Sequence, residues 1–194
     1  MTLFVRRFLW PPIAILLAMT LITGVAYPAL VTAVAQVAFP SQANGSFIVT
    51  ADGRTVGSSL IGQAFSDPKY FWGRPSAAGK DGYDASGSAG SNLAPTSKAL
   101  IDRISADVDR LRAANGGGPV PVDLITTSAS GLDPDISPAA AEYQVARIAA
   151  ARSISEADVR TVVVRHTEGQ LFGFLGEPRV HVLALNLDLD GLLR

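Results

Sequence analysis

An uncharged N-terminal stretch constrains the fold of this chain more than any other feature. No Asp, Glu, Lys, Arg or His occurs in residues 8–51. A membrane-spanning helix needs about 20 mostly apolar residues to cross some 30 Å of hydrocarbon, and residues 10–30 supply that length. The sequence therefore predicts a single transmembrane anchor over residues 10–35.

The charges that flank this stretch predict its orientation. Arg6 and Arg7 directly precede the apolar run, and the next Lys or Arg is Arg54. The positive-inside rule places such a basic pair in the cytoplasm. We therefore expect residues 1–9 to be cytoplasmic and residues 36–194 to form an extracytoplasmic domain, held at the cell inner membrane by an anchor in the lipid bilayer.

Two other interpretations of the apolar stretch stay open. A cleaved signal peptide would use Ala33-Val34-Ala35 as its small-residue cleavage site. The apolar region of a signal peptide is normally about 7 to 15 residues, and the stretch here is about twice as long, which favours a retained anchor. A buried core helix is the third interpretation, and the length of the run favours it least.

Composition removes several classes of function. The 16 Lys and Arg residues nearly balance the 17 Asp and Glu residues, so no basic surface is expected and nucleic acid is not a predicted partner. Because cysteine is absent, disulfides, thiolate nucleophiles and Cys-based metal sites are excluded. His166, on a predicted helix face, and His181, in a predicted strand, fit no zinc-ligand spacing, and we interpret both as structural. We predict no metal and no firmly bound cofactor.

A hairpin and a long loop are predicted after the anchor. Residues 46–50 and 54–57 are short strand-like runs on either side of Ala51-Asp52-Gly53, and Asp-Gly favours a tight turn. Residues 65–95 are rich in Gly, Ser and Pro but carry a dense group of aromatics: Phe65, Tyr70, Phe71 and Trp72. Because such dense aromatics rarely stay in water, we expect an ordered surface loop.

Three helices and a strand are predicted for the rest of the chain. The first helix covers residues 96–114, where one face carries Leu100, Ile104, Val108 and Leu111. The second covers Pro138–Arg152 behind an N-cap at Ser137, and Ser155 caps the third. Alternating apolar residues predict a final strand over residues 180–189. Strands at both ends with helices between them indicate a compact α+β domain.

Enzyme motifs are absent or incomplete. The closest match to a phosphate-binding loop, at residues 73–80, has its glycines one residue too far apart and Asp81 in place of Ser or Thr. Asp133-Pro134-Asp135 brings two carboxylates together. Its position just before Ser137 favours a rigid turn at a helix N-terminus over acid–base catalysis. We predict no catalytic residue.

Five separated sequence blocks carry a family resemblance. They are GSSLIGQ at residues 57–63, FWGRPS at 71–76, GSNL at 90–93, SASGLDPDISP at 128–138 and GEPRV at 176–180. In this order they closely resemble the C subunit of the bacterial Kdp potassium-transporting ATPase, the KdpC family. His181 is a departure, since asparagine is expected there in the family.

The resemblance implies an accessory subunit of a membrane complex that uses ATP to import potassium at high affinity. Its partners would be a P-type ATPase subunit, phosphorylated on an aspartate, and a potassium-channel-like subunit that carries the ion. This chain has neither an Asp-Lys-Thr-Gly phosphorylation motif nor a Thr-Val-Gly-Tyr-Gly filter, which agrees with a non-catalytic role.

The resemblance implies two roles within such a complex. The family is described as a catalytic chaperone that raises the ATP affinity of the ATPase subunit, and its proposed nucleotide-contacting glutamine maps to Gln144. The orientation predicted by Arg6 and Arg7 puts this residue outside, where ATP is scarce, and favours a structural glutamine. The other role, compatible with that orientation, is to cover the outer entrance of the potassium-carrying subunit.

Four further positions in the matched blocks are candidate functional loop residues: Arg74, Asn92, Asp133 and Glu177. Each of them could equally stabilise its own loop. Two other functions stay open, namely a membrane-anchored extracytoplasmic binding or sensor domain that acts alone, and a secreted hydrolase that uses Asp133 or Asp135.

Overall fold

The apolar N-terminal stretch forms one long helix, α1, over Arg7–Ala38. By length and composition α1 could cross a membrane, and it extends beyond both ends of the predicted anchor. The computed structural model describes residues 4–50 and 52–192. Residues 1–3 of the predicted cytoplasmic segment, Ala51 of the predicted turn and residues 193–194 of the predicted domain lie outside the described residues. The prediction of an N-terminal helix able to span a bilayer is confirmed, and its orientation stays a prediction.

The chain divides after Ser46 into two units, Met1–Ser46 and Phe47–Arg194. A short helix, α2 (Pro40–Ala43), follows α1 in the first unit. The second unit is a mixture of helices and short strands, as predicted. In chain order its elements are β1 (Phe47–Val49), β2 (Thr55–Ser58), α3 (Lys98–Asn115), a 3₁₀ turn (Val122–Leu124), β3 (Asp135–Ile136), α4 (Pro138–Arg152), α5 (Glu156–Arg165), β4 (Thr167–Glu168), β5 (Arg179–His181) and α6 (Val182–Leu189).

The strands form two small antiparallel sheets. The hairpin β1-β2 pairs Phe47 with Ser58 and Val49 with Thr55, which confirms the predicted hairpin. The second sheet has the order β3-β5-β4, with Ile136 and Thr167 both opposite Val180. The central strand β5 is therefore hydrogen-bonded to a neighbouring strand on each side.

The predicted caps determine where the helices begin. The Ser137 hydroxyl accepts a hydrogen bond from the Ala140 amide at 3.0 Å, and Ser155 does the same for Asp158 at 3.1 Å. Helix α3 begins two residues later than predicted, at Lys98, and ends where Gly116 adopts a left-handed conformation with φ of 80°. The three predicted helices are therefore confirmed, with small shifts in their ends.

The predicted C-terminal strand is wrong beyond its first residues. Only Arg179–His181 is extended, and the remainder of that run is the helix α6. The His181 ring accepts a hydrogen bond from the Ala184 amide at 3.1 Å and so caps the helix. Because α6 is buried on most of its circumference, its apolar residues leave no clear helical period. The chain therefore ends in a helix rather than in a strand.

The core lies between the helices and β5. Its fully or nearly fully buried side chains come from α3 to α6, from the strands β3 and β5, and from the long loop: Leu111, Ile136, Val145, Ile148, Val159, Val180, Leu185 and Phe71. The predicted inward residues of α5 agree, since Val159 and Val163 are buried. The unexpected member is Phe71, which joins the long loop to the core.

Candidate functional site

The long loop, residues 65–95, contains no helix or strand among its residues, yet it is built into the domain. Phe71 has no exposed surface and Trp72 is half-buried. The predicted ordered loop is confirmed, but its aromatic end belongs to the core rather than to the surface. Buried backbone needs hydrogen-bond partners, and here they come from side chains of two helices.

Two buried amide side chains bind the backbone of Phe71 and Trp72. The Asn186 amide accepts from the Phe71 N–H at 2.8 Å and donates to the Phe71 carbonyl at 3.0 Å. Gln144 does the same for Trp72, at 2.8 Å and 3.1 Å. Each side-chain amide thus makes the two backbone hydrogen bonds that a neighbouring strand would make. In this way α4 and α6 bind two consecutive residues of the loop.

Arg147 is a buried cation that ties this loop to two helices. Its guanidinium donates to Asn115 of α3 at 2.9 Å, to Gln144 at 2.7 Å, to the Tyr70 carbonyl at 3.0 Å and to the Pro68 carbonyl. It also lies 3.9 Å from the centre of the Trp72 ring. These acceptors are neutral, so hydrogen bonds and the aromatic ring, rather than a carboxylate, compensate the buried charge.

The electrostatic environment of Arg147 still leaves it charged. Burial, with a smaller contribution from the charge of nearby Arg110, lowers the pKa of its guanidinium to about 10. A pKa of about 10 is well above neutral pH, so the side chain remains a donor in all its hydrogen bonds.

Gln144, the residue to which a nucleotide contact was mapped, has no exposed surface. Its two amide hydrogens go to the carbonyls of Trp72 and Ala140, and its oxygen accepts from Trp72 and Arg147. A glutamine amide has two donors and two acceptor positions, and all four are used. A bound nucleotide would reach Gln144 only if these bonds were broken.

A second, shorter loop, residues 126–135, packs against the long loop. Arg74 pairs with Asp133 at 2.8 Å, and its guanidinium also donates to the Thr126 carbonyl at 3.3 Å. The other oxygen of Asp133 accepts from the Asp135 amide at 3.0 Å, which confirms the predicted rigid turn before α4. Two of the candidate functional residues are therefore partners of each other.

Further contacts bring the two loops close together. The Ser76 hydroxyl donates to the Gly131 carbonyl of the shorter loop at 2.6 Å, and within the long loop the Tyr83 hydroxyl donates to the Arg74 carbonyl at 2.6 Å. Burial, together with the negative charge of Asp133, raises the pKa of Tyr83 to about 12, so this phenol stays a donor. A side chain at Gly131 would lie 2.5 Å from the Ala89 carbonyl oxygen, so the approach requires glycine.

Three of the four candidate loop residues line one cleft of about 390 Å³: Arg74, Asp133 and Glu177. The cleft also contains Asp123, whose carboxylate accepts from the Ser137 amide at 2.7 Å, and Asp135. Burial raises the pKa of Asp135 although Arg179 lies 3.3 Å away. Most of these polar groups stabilise neighbouring backbone or each other, so the cleft contains no evident nucleophile with a base beside it.

The fourth candidate, Asn92, lies outside this cleft. Its side chain is exposed, and its backbone has a φ of 51°, which asparagine tolerates better than most residues. The structure therefore places Asn92 at a turn of the long loop, while the other three candidates meet near the start of α4.

The two histidines have the structural contacts that were predicted. His181, in β5, lies 2.9 Å from the Ser59 carbonyl through Nε2 and caps α6 through Nδ1. His166 follows the last residue of α5 and lies 2.9 Å from Asp188. Among the residues that the structure describes, no group of three or more His, Cys, Asp or Glu side chains could hold a metal ion.

Arg147 and Asn186 were missed by the sequence analysis although they organise the site. Asn186 did carry a signal, because it is a lone amide inside the apolar run at residues 182–189. A polar residue in such a run is costly to bury unless it is hydrogen-bonded, which marks it as a specific partner. Arg147 carried none, since arginines on helices are usually exposed.

Comparison with known proteins adds one consistent result. The family model described as "K+-transporting ATPase, c chain" matches residues 9–191. A potassium-transporting ATPase KdpC subunit from Sorangium cellulosum is 61% identical over 93% of this chain and 96% of its own length. KdpC subunits from Koribacter versatilis and Rhodopseudomonas palustris are 58% and 57% identical, covering 89% and 93% of this chain and 88% and 96% of their own lengths.

Proposed function

Because the chain belongs to the KdpC family of potassium-transporting ATPase C subunits, we propose that it is a non-catalytic accessory subunit of an ATP-driven potassium import complex. Helix α1 anchors it in the cytoplasmic membrane, and the second unit lies on the outer face of that membrane. Its partners are a P-type ATP-hydrolysing subunit and a potassium-channel-like subunit, and it acts through contacts with them.

The observation that carries this proposal is that polar side chains hold the long loop, residues 65–95, and the shorter loop, residues 126–135, against each other. The polar side chains that join them, such as Arg74 and Asp133, use their hydrogen bonds to hold the fold. Such an arrangement shapes a surface and leaves no group in position for a reaction. A preformed surface also lowers the conformational entropy lost on association, which favours a docking subunit over an enzyme.

The surface that this pair of loops offers is the tip of the long loop, residues 79–86. Ala78 is fully buried at the base of the tip and accepts a backbone hydrogen bond from Asp84 at 3.1 Å. Lys80 and Asp81 are exposed between these two positions. In the proposed complex this tip covers the outer entrance of the potassium-carrying subunit.

An effect on the ATP affinity of the ATPase subunit would also be exerted through subunit contacts. Gln144 has no hydrogen-bonding position left for a nucleotide, and the charges at Arg6 and Arg7 favour its location outside. A chaperone-like effect on ATP binding therefore needs no nucleotide bound to this chain.

The proposed orientation predicts the outcome of a reporter fusion. An alkaline phosphatase fused behind the C-terminus should be active, because this enzyme needs the oxidising outer compartment, and a green fluorescent protein at the same position should be dark. The green reporter fused to the N-terminus should fluoresce and serves as the control. Cytoplasmic fluorescence of the C-terminal fusion would overturn the orientation and the role at the outer entrance.

The proposed docking surface predicts that Asp81→Lys weakens the complex. Reversing one exposed charge at an interface disturbs electrostatic complementarity, and we expect about a ten-fold rise in the potassium concentration that half-saturates ATPase activity, or about 1.4 kcal/mol. Copurification of the other subunits from detergent measures assembly directly. Deleting the whole loop would be uninformative, because removal of Phe71 takes a buried side chain out of the core.

Asp109→Lys is the matched control for this experiment. Asp109 is an exposed carboxylate on α3, so the substitution makes the same change of charge outside the loop tip. Unchanged assembly and potassium affinity in Asp81→Lys would refute the role of the tip. A subunit that never copurifies with the other two, even without substitutions, would instead favour a binding or sensor domain that acts alone.

A further inference from the structure

A hairpin extension between β4 and β5 exposes four large apolar side chains. Residues 169–178 turn back on themselves, and Leu171 pairs with Leu175. At this apolar tip, residues 171–175, the exposed fractions are 63% for Leu171, 79% for Phe172, 72% for Phe174 and 48% for Leu175. Contiguous exposed apolar groups of this size mark a binding surface, because a lone domain gains nothing by keeping them in water.

The backbone of the apolar tip is already hydrogen-bonded within the tip. The amides of Leu171 and Leu175 each donate to the other's carbonyl, at 2.9 Å and 3.0 Å, and the Gly173 amide donates to the Gln170 carbonyl at 3.1 Å. A segment that leaves water for hydrocarbon must satisfy its own polar backbone groups. The tip meets this requirement at these three amides. A contact with a protein would not require it, because a protein partner could supply hydrogen bonds of its own.

The turn also holds Phe172 in an unfavourable conformation. Its φ is 55°, in the left-handed region that residues with bulky side chains rarely adopt, and Gly173 follows with a φ of 80°. This conformation keeps an aromatic ring at the outermost point of the hairpin. Such a conformation at an exposed aromatic residue points to a functional use of the ring.

Polarity rises steadily along the hairpin away from its tip. Behind the apolar residues, Gln170 donates to the Gly176 carbonyl at 2.8 Å, and behind that Glu168 pairs with Arg179 at 2.7 Å. Glu168 and Phe172 are four residue steps apart along the hairpin, which corresponds to at most about 13 Å of extended chain. An interfacial segment is buried by about 5–10 Å, so the tip would enter the apolar region while the ion pair stays in water.

The base of this hairpin lies beside the strands by which the chain enters the second unit. The Ser59 carbonyl, next to β2, accepts a hydrogen bond from Nε2 of His181 in β5 at 2.9 Å, and β2 pairs with β1. Phe47 and Val49 of β1 are themselves exposed, at 61% and 53%.

We propose that the apolar tip inserts into the interfacial region of the lipid bilayer, as a second membrane contact beside α1. The tip carries no Lys or Arg, and Glu168 and Glu177 flank it, so the contact depends on apolar burial and not on anionic headgroups. This inference rests on the proposed membrane anchoring by α1. It gives the second unit a preferred orientation on the membrane.

Depth-dependent quenching in vesicles tests this contact. The chain has no cysteine, so Phe172→Cys in the full-length protein gives a unique site for an environment-sensitive fluorophore. The protein is reconstituted in phosphatidylcholine vesicles with brominated acyl chains. We expect quenching at least about two-fold stronger at position 172 than at the exposed control Ala113→Cys on α3, as for an interfacial segment.

Two further labels separate the outcomes. Ala18→Cys, within α1, should be quenched whenever the helix lies in the bilayer, so loss of quenching at Ala18 refutes the anchoring itself. Quenching at Ala18 without excess quenching at 172 overturns insertion of the tip alone. Protection of position 172 from aqueous iodide only after the other subunits are added, without lipid quenching, would show that a protein covers the tip and would also overturn the proposal.

Discussion

Replacing Gln144 by leucine should lower the free energy of unfolding of the second unit by about 3–5 kcal/mol. The substitution keeps most of the side-chain volume but removes both hydrogen bonds to the Trp72 backbone. It also leaves the buried guanidinium of Arg147 without one of its acceptors. Unpaired buried polar groups lose their full hydration free energy, which explains the size of the effect.

Denaturation of the full-length protein in detergent measures this loss. Trp72 fluorescence reports on the site directly in a Trp10→Phe background, since the chain has two tryptophans. Gln144→Glu keeps an acceptor for Trp72 and Arg147 and should cost less. Gln170→Leu is the matched control, because the same change at an exposed glutamine removes one surface hydrogen bond and should cost under about 1 kcal/mol.

The same variant distinguishes the structural role of Gln144 from nucleotide binding. If Gln144 holds the fold, ATP affinity of the assembled complex should fall only in proportion to the loss of folded subunit. Normal stability combined with a selective loss of ATP affinity would contradict the structural role and restore the nucleotide contact.

Replacing Arg147 by methionine should have an effect of similar size, about 3–5 kcal/mol. Its guanidinium donates hydrogen bonds to two backbone carbonyls and to the side-chain amide oxygens of Asn115 and Gln144. Methionine has no donor for any of these acceptors. Trp72 also loses the cation 3.9 Å from its ring. We expect the long loop to separate from α3 and α4, with loss of near-ultraviolet circular dichroism from Trp72.

Arg110→Met is the control for the contact with the ring. Arg110 lies 5.3 Å from the same indole but is exposed and pairs with Asp107, so its removal should cost under about 1 kcal/mol. Arg147→Lys should recover only part of the stability, because an ammonium group cannot reproduce the planar fork of a guanidinium. An Arg147→Met variant as stable as the Arg110→Met control would refute the central role assigned to this cation.

A double variant tests whether the two residues act as one unit. Gln144 and Arg147 share a hydrogen bond at 2.7 Å, and both hold residues of the aromatic end of the long loop. The double variant should therefore lose less unfolding free energy than the sum of the two single-variant losses, because the second substitution acts on a site that the first has already disrupted.

Much of the local structure could be predicted from short-range chemistry. Ser137 and Ser155 cap helices through contacts three residues away, and the turn at Asp133 closes over two residues. Both partners of each such contact lie within a few positions of each other in the sequence, so the contact can be predicted without knowledge of the rest of the fold. The matched blocks likewise indicated Arg74 and Asp133 as candidate residues, but not that the two form an ion pair.

The final helix shows where this approach fails. Residues 182–189 alternate in polarity as a half-buried strand would, because Asn186 and Asp188 interrupt the apolar positions. Asn186 is in fact buried against Phe71, and Asp188 pairs with Arg165 and lies beside His166. An alternating pattern indicates a strand only when its polar residues face water, and here tertiary partners satisfy them.

The sequence by itself determined that one uncharged segment forms a helix long and apolar enough to span a membrane, where most helices begin, and to which family the blocks belong. These follow from the apolar character of residues 8–38 and from neighbours in the chain. Only the tertiary structure decided that Gln144 and Asn186 hold the loop backbone across 72 and 115 residues of sequence. Long-range hydrogen bonds leave no periodic trace, because either partner alone looks like an ordinary polar residue on a helix.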